Sequence, residues 1–446
     1  MNKLFGTDGI RGKADKYPLD SKTVWIIGKS LAKYAKNELN RVPQFIAGRD
    51  TRESGVRIER ALSSGIDAGG GNCESAGVIT TPGVAYLAGC KGFDAGIVIS
   101  ASHNPFTDNG LKIFRPSGKK IGTVVEEFLE AAILEGNTKG FAMSDVHSDR
   151  GTELRENYIT HFEEDFGGLD LSGIKIVADC ANGAASRLAP LLFEDLGAEV
   201  VPIHNSPDGR NINRECGSLH LEVLQDAVKR ESADFGVAFD GDADRSLFVD
   251  EKGQIVDGDA TLWIMANNLH DKGKLKNDTV VATVMSNLGL EVALQKKSIK
   301  LVRTAVGDKY VLEELLNCGH SIGGEQSGHI IFPNRSLVGD GMQTALFVLS
   351  AMRESGETFS ALKEGFRQFP QILVNVEVGR KAPFEEIPKI VDCKNEVEEA
   401  LGETGRLLLR YSGTENLARV MIEGADQDDI EEKARRLASV IGKALG

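Results

Sequence analysis

The residues best suited to chemistry are a serine in Ser100-Ala-Ser102-His103-Asn104-Pro105 and three carboxylates in Asp240-Gly-Asp242-Ala-Asp244-Arg245. The apolar run Ala95 to Ile99 reads as a strand that ends in small polar residues and a proline. This places the Ser102 hydroxyl on a tight loop beyond a strand's carboxyl end, where open α/β sheets bind their ligands. A serine hydroxyl is a weak nucleophile without an activating partner. Alternate side chains of an extended loop point the same way. Asp240, Asp242 and Asp244 can therefore share one hard cation, and magnesium suits them when phosphate oxygen and water complete the octahedron. The combination predicts a serine that carries a phosphoryl group beside a divalent cation.

An EF-hand is the main lookalike of the aspartate run, with Asp240, Asp242, Asp244 and Glu251 at its ligand positions. Its sixth position must be glycine, and here it is Arg245, between flanks that read as strands. A Ser102–His103 hydrolase pair is disfavoured because neighbours on an extended turn point apart. Lys112, on the following strand, is a cation near the serine and a candidate acid/base, as is His329 in Gly324-Glu325-Gln326-Ser327-Gly328-His329. That last loop offers a carboxylate, an amide, a hydroxyl and an imidazole, an inventory that fits the hydroxyls of a sugar ring. Arg11 lies in the glycine-bracketed Phe5-Gly-Thr-Asp8-Gly-Ile-Arg11-Gly12. Arg410-Tyr411-Ser412-Gly413-Thr414-Glu415-Asn416 combines a guanidinium, hydroxyls and backbone amides in an anion cradle. It lacks the lysine and spacing of a nucleotide P-loop. Arg245 and Arg419 are counted with Glu325, Ser327, Arg410, Ser412, Gly413 and Thr414 as substrate contacts.

The elements that must hold these loops follow a loose repeat. Strand-like runs at Phe45 to Asp50, Ile174 to Asp179 and Val280 to Val284 each lead through helical patterns to a second strand and one of the polar loops. Strands alternating with helices predict α/β domains with mixed sheets. The tail differs: a strand from Ile372, a helix near Lys394 to Leu401, strands at Arg406 to Arg410 and Leu417 to Ile422, and a final helix from Asp428 to Leu445. The reading is three similar α/β domains, 1–150, 151–254 and 255–367, and a smaller α+β domain, 368–446, around a cleft. The 446 residues are enough for that many cores, with 41% hydrophobic residues.

A net charge of -14 argues against nucleic acid or an anionic membrane as the main partner. No run has the length of a transmembrane helix, and the first residues lack the apolar core of a signal peptide. Six scattered cysteines without a Cys-x-x-Cys pair read as reduced thiols of a cytoplasmic protein.

The serine loop, the aspartate loop, Gly324-Glu-Gln-Ser-Gly-His and Arg410-Tyr-Ser-Gly-Thr-Glu resemble, in order, the four signature loops of the α-D-phosphohexomutase family. Phe5 to Gly12, Asp179-Cys-Ala-Asn-Gly183, Asn205-Ser-Pro-Asp-Gly209 and Val306-Gly-Asp308 resemble the branch acting on glucosamine phosphates. The resemblance implies an isomerase that interconverts glucosamine 6-phosphate and glucosamine 1-phosphate on the way to UDP-N-acetylglucosamine, with a sugar 1,6-bisphosphate as intermediate and activator. Related phosphoglucose or phosphomannose chemistry is the nearest alternative, and a non-catalytic phosphosugar-binding protein is the alternative of another class. It implies Ser102 as the phosphoserine, one Mg2+ on Asp240, Asp242, Asp244 and the Ser102 phosphate, and Lys112, His329 and Arg11 near the transferred group. Glu325 and Ser327 match the sugar contacts, and Arg410, Ser412, Gly413 and Thr414 the grip on the non-reacting phosphate. The reading allows a homodimer. Tyr411 and Asn416 replace prolines of that loop, which predicts a less rigid cradle. Ala243 replaces a glycine, with its methyl expected to point away from the metal side.

Overall fold

The computed structural model describes residues 3–144, 150–412 and 416–446. The chain forms two compact units, Met1–Val284 with Val302–Glu364, and Met285–Leu301 with Gly365–Gly446.

The larger unit contains three sheets. In the first, β1 (Ile10–Lys13), β2 (Gln44–Arg49), β3 (Asn72–Val78), β4 (Ala95–Ile99) and β5 (Asp108–Phe114) lie in the order β1-β5-β4-β2-β3. β2 runs parallel to β3 and β4, while β5 is antiparallel to β4 and β1. The second repeats this plan with β6 (Lys175–Asp179), β7 (Glu199–Ile203), β8 (Phe235–Phe239), β9 (Ser246–Asp250) and β10 (Ile255–Val256), ordered β10-β9-β8-β6-β7. The third is ordered β12-β11-β13-β14, from β11 (Thr279–Thr283), β12 (Lys300–Thr304) and the two-residue β13 (Gly323–Gly324) and β14 (Ile330–Ile331). The central strands β4 and β8 are buried along their whole length. Their continuous apolar sequences follow from being covered on both faces.

Helix boundaries follow local chemistry. Asp20 caps the helix Ser21–Leu39 by accepting from the Lys22 and Thr23 amides, and Asn40 ends it in the left-handed conformation. Thr80 caps Thr81–Cys90, with Pro82 in its first turn. Trp25, Ile27, Leu62 and Ile66 of the first two helices join Phe45, Ile97 and Ile99 in one core.

The smaller unit carries β15 (Gln371–Glu377), β16 (Gly405–Tyr411) and β17 (Leu417–Gly424) in an antiparallel sheet ordered β15-β17-β16. Helices Pro388–Leu401 and Gln427–Leu445 pack on it through Ile390, Val397, Ile430 and Leu437. The helix Leu288–Lys296 also belongs to this unit. All six cysteines are free. Among the described residues no helix is long and apolar enough to cross a membrane.

Candidate active site

β4 and β8 each end in one of the two loops singled out by sequence. The chain turns sharply after β4, with Ser102 at a φ of 54°, a conformation that costs a non-glycine residue and is held only by surrounding contacts. Those contacts are explicit. The Ser102 amide donates to Ser100 Oγ at 2.9 Å, and Ser100 donates to Asp50 at 2.6 Å. Arg52, fully buried, pairs with Asp50 at 2.8 Å and donates to the carbonyls of Ser102, Asn104, Pro105 and Asp108. Asn213 adds a second donor to the Ser102 carbonyl at 2.8 Å. Gly241 lets the second loop approach, since a Cβ there would lie 2.5 Å from the Ser102 carbonyl oxygen.

The Ser102 hydroxyl donates to Asp240 Oδ2. Asp240, Asp242 and Asp244 are all buried and offer oxygens within 4.8 Å of one another. The loop is a turn rather than the extended segment expected, closed by the Ala243 amide on the Asp240 carbonyl at 3.1 Å. Ala243 accordingly takes a φ of 55°. The preference for glycine at this place therefore has a backbone cause, not the side-chain direction inferred from alternation. Burial and the charges of Asp244 and Asp242 push Asp240 well above the ordinary carboxylate value. Oδ1 of Asp242 and Oδ1 of Asp244 are buried and accept no hydrogen bond. Clustered carboxylates with such oxygens fit a hard divalent cation, so the triad can hold a metal ion.

Lys112 is not an exposed strand lysine. It is buried, with Nζ 2.9 Å from Asp242, 3.0 Å from Asp244 and 3.1 Å from Asp8. Burial pulls its pKa down, but Asp242, Asp244 and Asp8 more than offset this and hold it well above the ordinary value. Asp8 also binds Arg11 at 2.5 Å and Lys120 at 2.6 Å, and Lys120 reaches Asp308 at 2.7 Å. His329 accepts the Gly339 amide at Nε2, 3.1 Å away, and sets Nδ1 3.7 Å from Asp244. His103 departs from expectation. The turn at Ser102 brings its Nδ1 to 3.3 Å from the Ser102 hydroxyl, while burial, Arg245 and Arg11 lower its pKa to about 4.

A cleft of about 470 Å3 opens on this cluster, lined by Arg11, Asp244, Arg245, Asp308, Glu325 and His329 among others. Glu325 thus shares a cavity with the charged cluster. Ser327 is half-buried on the same loop, whose turn is closed by the Gly328 amide on the Glu325 carbonyl. Gln326 is turned away: its amide donates to Asp257 at 3.4 Å.

The smaller unit holds the remaining residues. Arg410 and Arg419 stand directly opposite each other on β16 and β17, so two guanidinium side chains share one face of the sheet. Burial and Arg419 lower the Arg410 pKa. Ser412 is buried, and its carbonyl accepts from Lys381 at 2.7 Å. Gly413 and Thr414 lie outside the described residues. Tyr411 does not loosen the strand end as expected. Its ring stacks on Phe384 at 4.2 Å and its hydroxyl donates to the Ala382 carbonyl at 2.6 Å.

Sequence reasoning missed Arg52, Lys120, Thr81 and Asn213 as parts of the site. Thr81 Oγ1 donates to Asp242 at 2.5 Å. Asp50-Thr-Arg52 just past a strand end was the available signal for the buried pair; Lys120 and Asn213 stand in no chemically distinctive pattern.

Four models of phosphoglucomutase/phosphomannomutase domains match the chain in order: α/β/α domain I over 2–139, domain II over 156–253, domain III over 257–369 and the C-terminal domain over 373–440. The chain belongs to the phosphoglucomutase/phosphomannomutase family. It is a phosphohexomutase, hence an isomerase, and the fold class and enzyme class read from sequence are borne out. A relative in Caldicellulosiruptor bescii, named phosphoglucosamine mutase, is 47% identical over 452 residues and the full length of both chains. One of the same name in Solibacter usitatus is 47% identical over 99% of each. A phosphoglucomutase/phosphomannomutase family protein from Burkholderia thailandensis superposes with a TM-score of 0.80 at 23% identity, over 100% of this chain and 98% of that one. N-acetylphosphoglucosamine mutase of Aspergillus fumigatus, solved with GlcNAc-6P and magnesium, gives 0.68 at 19% identity over 99% and 96%. These two show the shared phosphohexomutase fold.

Proposed function

We propose that this phosphohexomutase interconverts glucosamine 6-phosphate and glucosamine 1-phosphate through a phosphorylated Ser102. The observation that carries the chemistry is the Ser102 hydroxyl held against Asp240 of a buried acidic triad, with the Lys112 ammonium beside it. The substrate assignment is supported by the full-length relatives named phosphoglucosamine mutase.

Asp50, Arg52 and Asn213 fix the serine loop, so little is spent on orienting the phosphoserine before transfer. A substrate hydroxyl attacks the phosphorus, the Ser102 Oγ–P bond breaks and an O–P bond to the sugar forms. Lys112, Arg11 and Arg245 supply fixed positive charge for the equatorial phosphoryl oxygens. Lys112 does this rather than accept a proton, because three carboxylates surround its ammonium. His329 has both ring nitrogens turned to protein groups and positions Asp244. Asp240, Asp242 and Asp244 would hold one Mg2+, which when bound neutralises charge on the transferring group.

The product of the first transfer is glucosamine 1,6-bisphosphate. It turns around and returns its other phosphoryl group to Ser102; the proton that passed from the sugar hydroxyl to Ser102 Oγ in the first transfer goes back to the sugar oxygen freed in the second, so the net reaction is isomerisation. The facing Arg410 and Arg419 are proposed to hold whichever phosphate is not reacting, which requires a grip indifferent to the end of the sugar presented. A sugar 1,6-bisphosphate would prime an unphosphorylated serine.

A coupled assay with glucosamine 1- and 6-phosphate, with and without a sugar bisphosphate, tests this. Turnover should appear with both amino sugars and vanish in Ser102→Ala, and peptide mapping should find about 80 Da, one phosphoryl group, on Ser102. Full activity of Ser102→Ala with bisphosphate supplied would end the covalent relay. Equal or better turnover of glucose or mannose phosphate would move the substrate assignment.

A further inference from the structure

A second cavity, of about 430 Å3, lies at the carboxyl ends of β2, β3 and β6 in the larger unit. It shares no lining residue with the cleft described above. Three of its lining residues are arginines, Arg49, Arg155 and Arg187, and none is acidic. This is unexpected in a chain with 66 Asp and Glu against 52 Lys and Arg. Arg49 is matched by Glu59 at 3.0 Å. Among the described residues Arg155 donates to the Ala76 carbonyl at 2.7 Å and the Thr152 hydroxyl at 3.1 Å. Arg187, exposed in the first turn of the helix Ala185–Asp195, makes no ion pair among the described residues. Burial and the charge of Arg187 lower the Arg155 pKa, Glu156 partly offsets them and Arg49 adds to the lowering.

Like charges gathered in a concave, partly desolvated site are stable when an anion sits among them. Asn205 adds a neutral amide to the lining, the Thr51 and Ser186 hydroxyls donate to the Asn182 and Gly183 carbonyls, and Val78 and Leu188 give an apolar wall. The volume exceeds that of a bare oxyanion and falls in the range of small-molecule sites, roughly 300–1,000 Å3.

We propose that this cavity is a second binding site, for a small phosphorylated metabolite whose phosphate or pyrophosphate lies among Arg49, Arg155 and Arg187. The site is joined to the serine loop by one short segment. Arg49 and Thr51 line the cavity, while the alternate residues Asp50 and Arg52 hold Ser102. A ligand here rests on the reverse side of the segment that positions the nucleophile.

Calorimetric titration of the full chain with inorganic pyrophosphate and, separately, with adenosine 5′-diphosphate tests the site. Each is run on the parent protein, on Arg155→Gln/Arg187→Gln and on the charge-keeping Arg155→Lys/Arg187→Lys. The parent should show saturable binding that the glutamine pair weakens by about tenfold or more, with the lysine pair in between because it loses the forked donor geometry. Mutase turnover without added ligand should stay within about twofold in both pairs, which also shows that the variants fold. Tighter binding of the nucleotide than of pyrophosphate would assign the apolar wall to the organic part; equal binding would confine recognition to the anion. Identical affinities in parent and glutamine variant would overturn the proposal. So would unchanged anion binding with a shift in oligomeric state, which would make the arginines a protein contact.

Discussion

The Arg52 guanidinium donates to the Ser102 carbonyl at 2.8 Å while its Nε pairs with Asp50 at 2.8 Å, and both side chains of the pair are fully buried. A buried ion pair contributes little net stability unless its geometry satisfies the remaining donors. Here the remaining donors go to four carbonyls between Ser102 and Asp108, so the pair sets where Ser102 sits. Arg52→Lys keeps the charge but loses the fork. It should lower kcat by about 10²-fold, the effect of misplacing a reacting group by roughly an ångström, with KM little changed. Steady-state kinetics on both monophosphates checks this, with the melting temperature as the control for folding. A variant that loses only KM would place Arg52 in substrate binding instead.

The aspartate turn carries the second prediction. Asp242 accepts from Thr81 and Lys112 through Oδ2, and its Oδ1 accepts no hydrogen bond. Asp242→Asn preserves shape and removes a charge from the oxygens offered to a cation. Magnesium titration of activity should shift to higher concentration, and turnover at saturation should fall by several kcal/mol of transition-state stabilisation. The parent should lose activity on chelation and regain it with Mg2+ more than with Ca2+, whose coordination is longer and looser. Activity indifferent to thorough chelation would contradict the triad's role.

Away from the charged cluster, Asp340 gives a pH-dependent stability term. It caps the helix Gly341–Ser355 by accepting from the Gln343 amide at 3.0 Å and also accepts from the Tyr158 hydroxyl at 2.8 Å. Burial pushes its pKa up to about 6, against about 3.9 for a free aspartate. The folded state therefore binds this proton more tightly than the unfolded chain. Its contribution is fully present below about pH 4 and is lost as pH rises through 6, a loss on the order of 3 kcal/mol. Asp340→Asn keeps an acceptor oxygen for the Gln343 amide, presents an NH2 that the Tyr158 hydroxyl can accept, and cannot ionise. Urea unfolding at pH 4.5 and 7.5 should show the variant gaining on the parent at the higher pH. A difference between the two proteins that does not vary with pH would sink this account.

The sequence carried the strand ends, because apolar runs broken by glycine and small polar residues leave few alternatives for β2, β4, β6 and β8. It also carried the residue types at the site, since a serine loop and three alternating aspartates have little structural use apart from each other. What it could not carry is direction. Alternation on an extended loop was the only rule available for Asp240 to Asp244 and for Ser102 and His103, and both loops turn instead. Backbone hydrogen bonds and left-handed residues at Ser102 and Ala243 decide those directions, and they depend on neighbours far along the chain. Lys112, read as a cation near the serine and a candidate acid/base, is buried among Asp8, Asp242 and Asp244, which reach it from two other segments. Tyr411 was taken as a loosened proline position because Phe384, its stacking partner, is remote in sequence.

Substrate choice is proposed to rest on the Glu325 loop, where the structure separates two residues that sequence left equivalent. Glu325 lines the cleft beside Arg245 and His329. Gln326 spends its amide on Asp257, which caps the helix Gly258–Asp271, and its carbonyl accepts from the Gly258 amide at 3.0 Å. Gln326 therefore fixes the loop, and Glu325, which lines the cleft, is the residue proposed to meet the sugar. An amino group at carbon two is partly cationic near neutral pH, and a carboxylate facing it discriminates against a neutral hydroxyl. The expected preference for glucosamine phosphate over glucose phosphate is roughly 10²-fold or more in kcat/KM. Glu325→Gln should reduce turnover of both sugars, because ring hydroxyls are shared, but should cost the amino sugar more by about 1.5–3 kcal/mol, the scale of a charge-assisted hydrogen bond. Gln326→Ala should instead affect both sugars alike, through a less ordered loop. Parallel kcat/KM measurements on the two sugars with the parent and both variants distinguish the roles. A selective loss on the amino sugar in Gln326→Ala, with none in Glu325→Gln, would reverse the assignment while leaving the phosphoserine chemistry untouched.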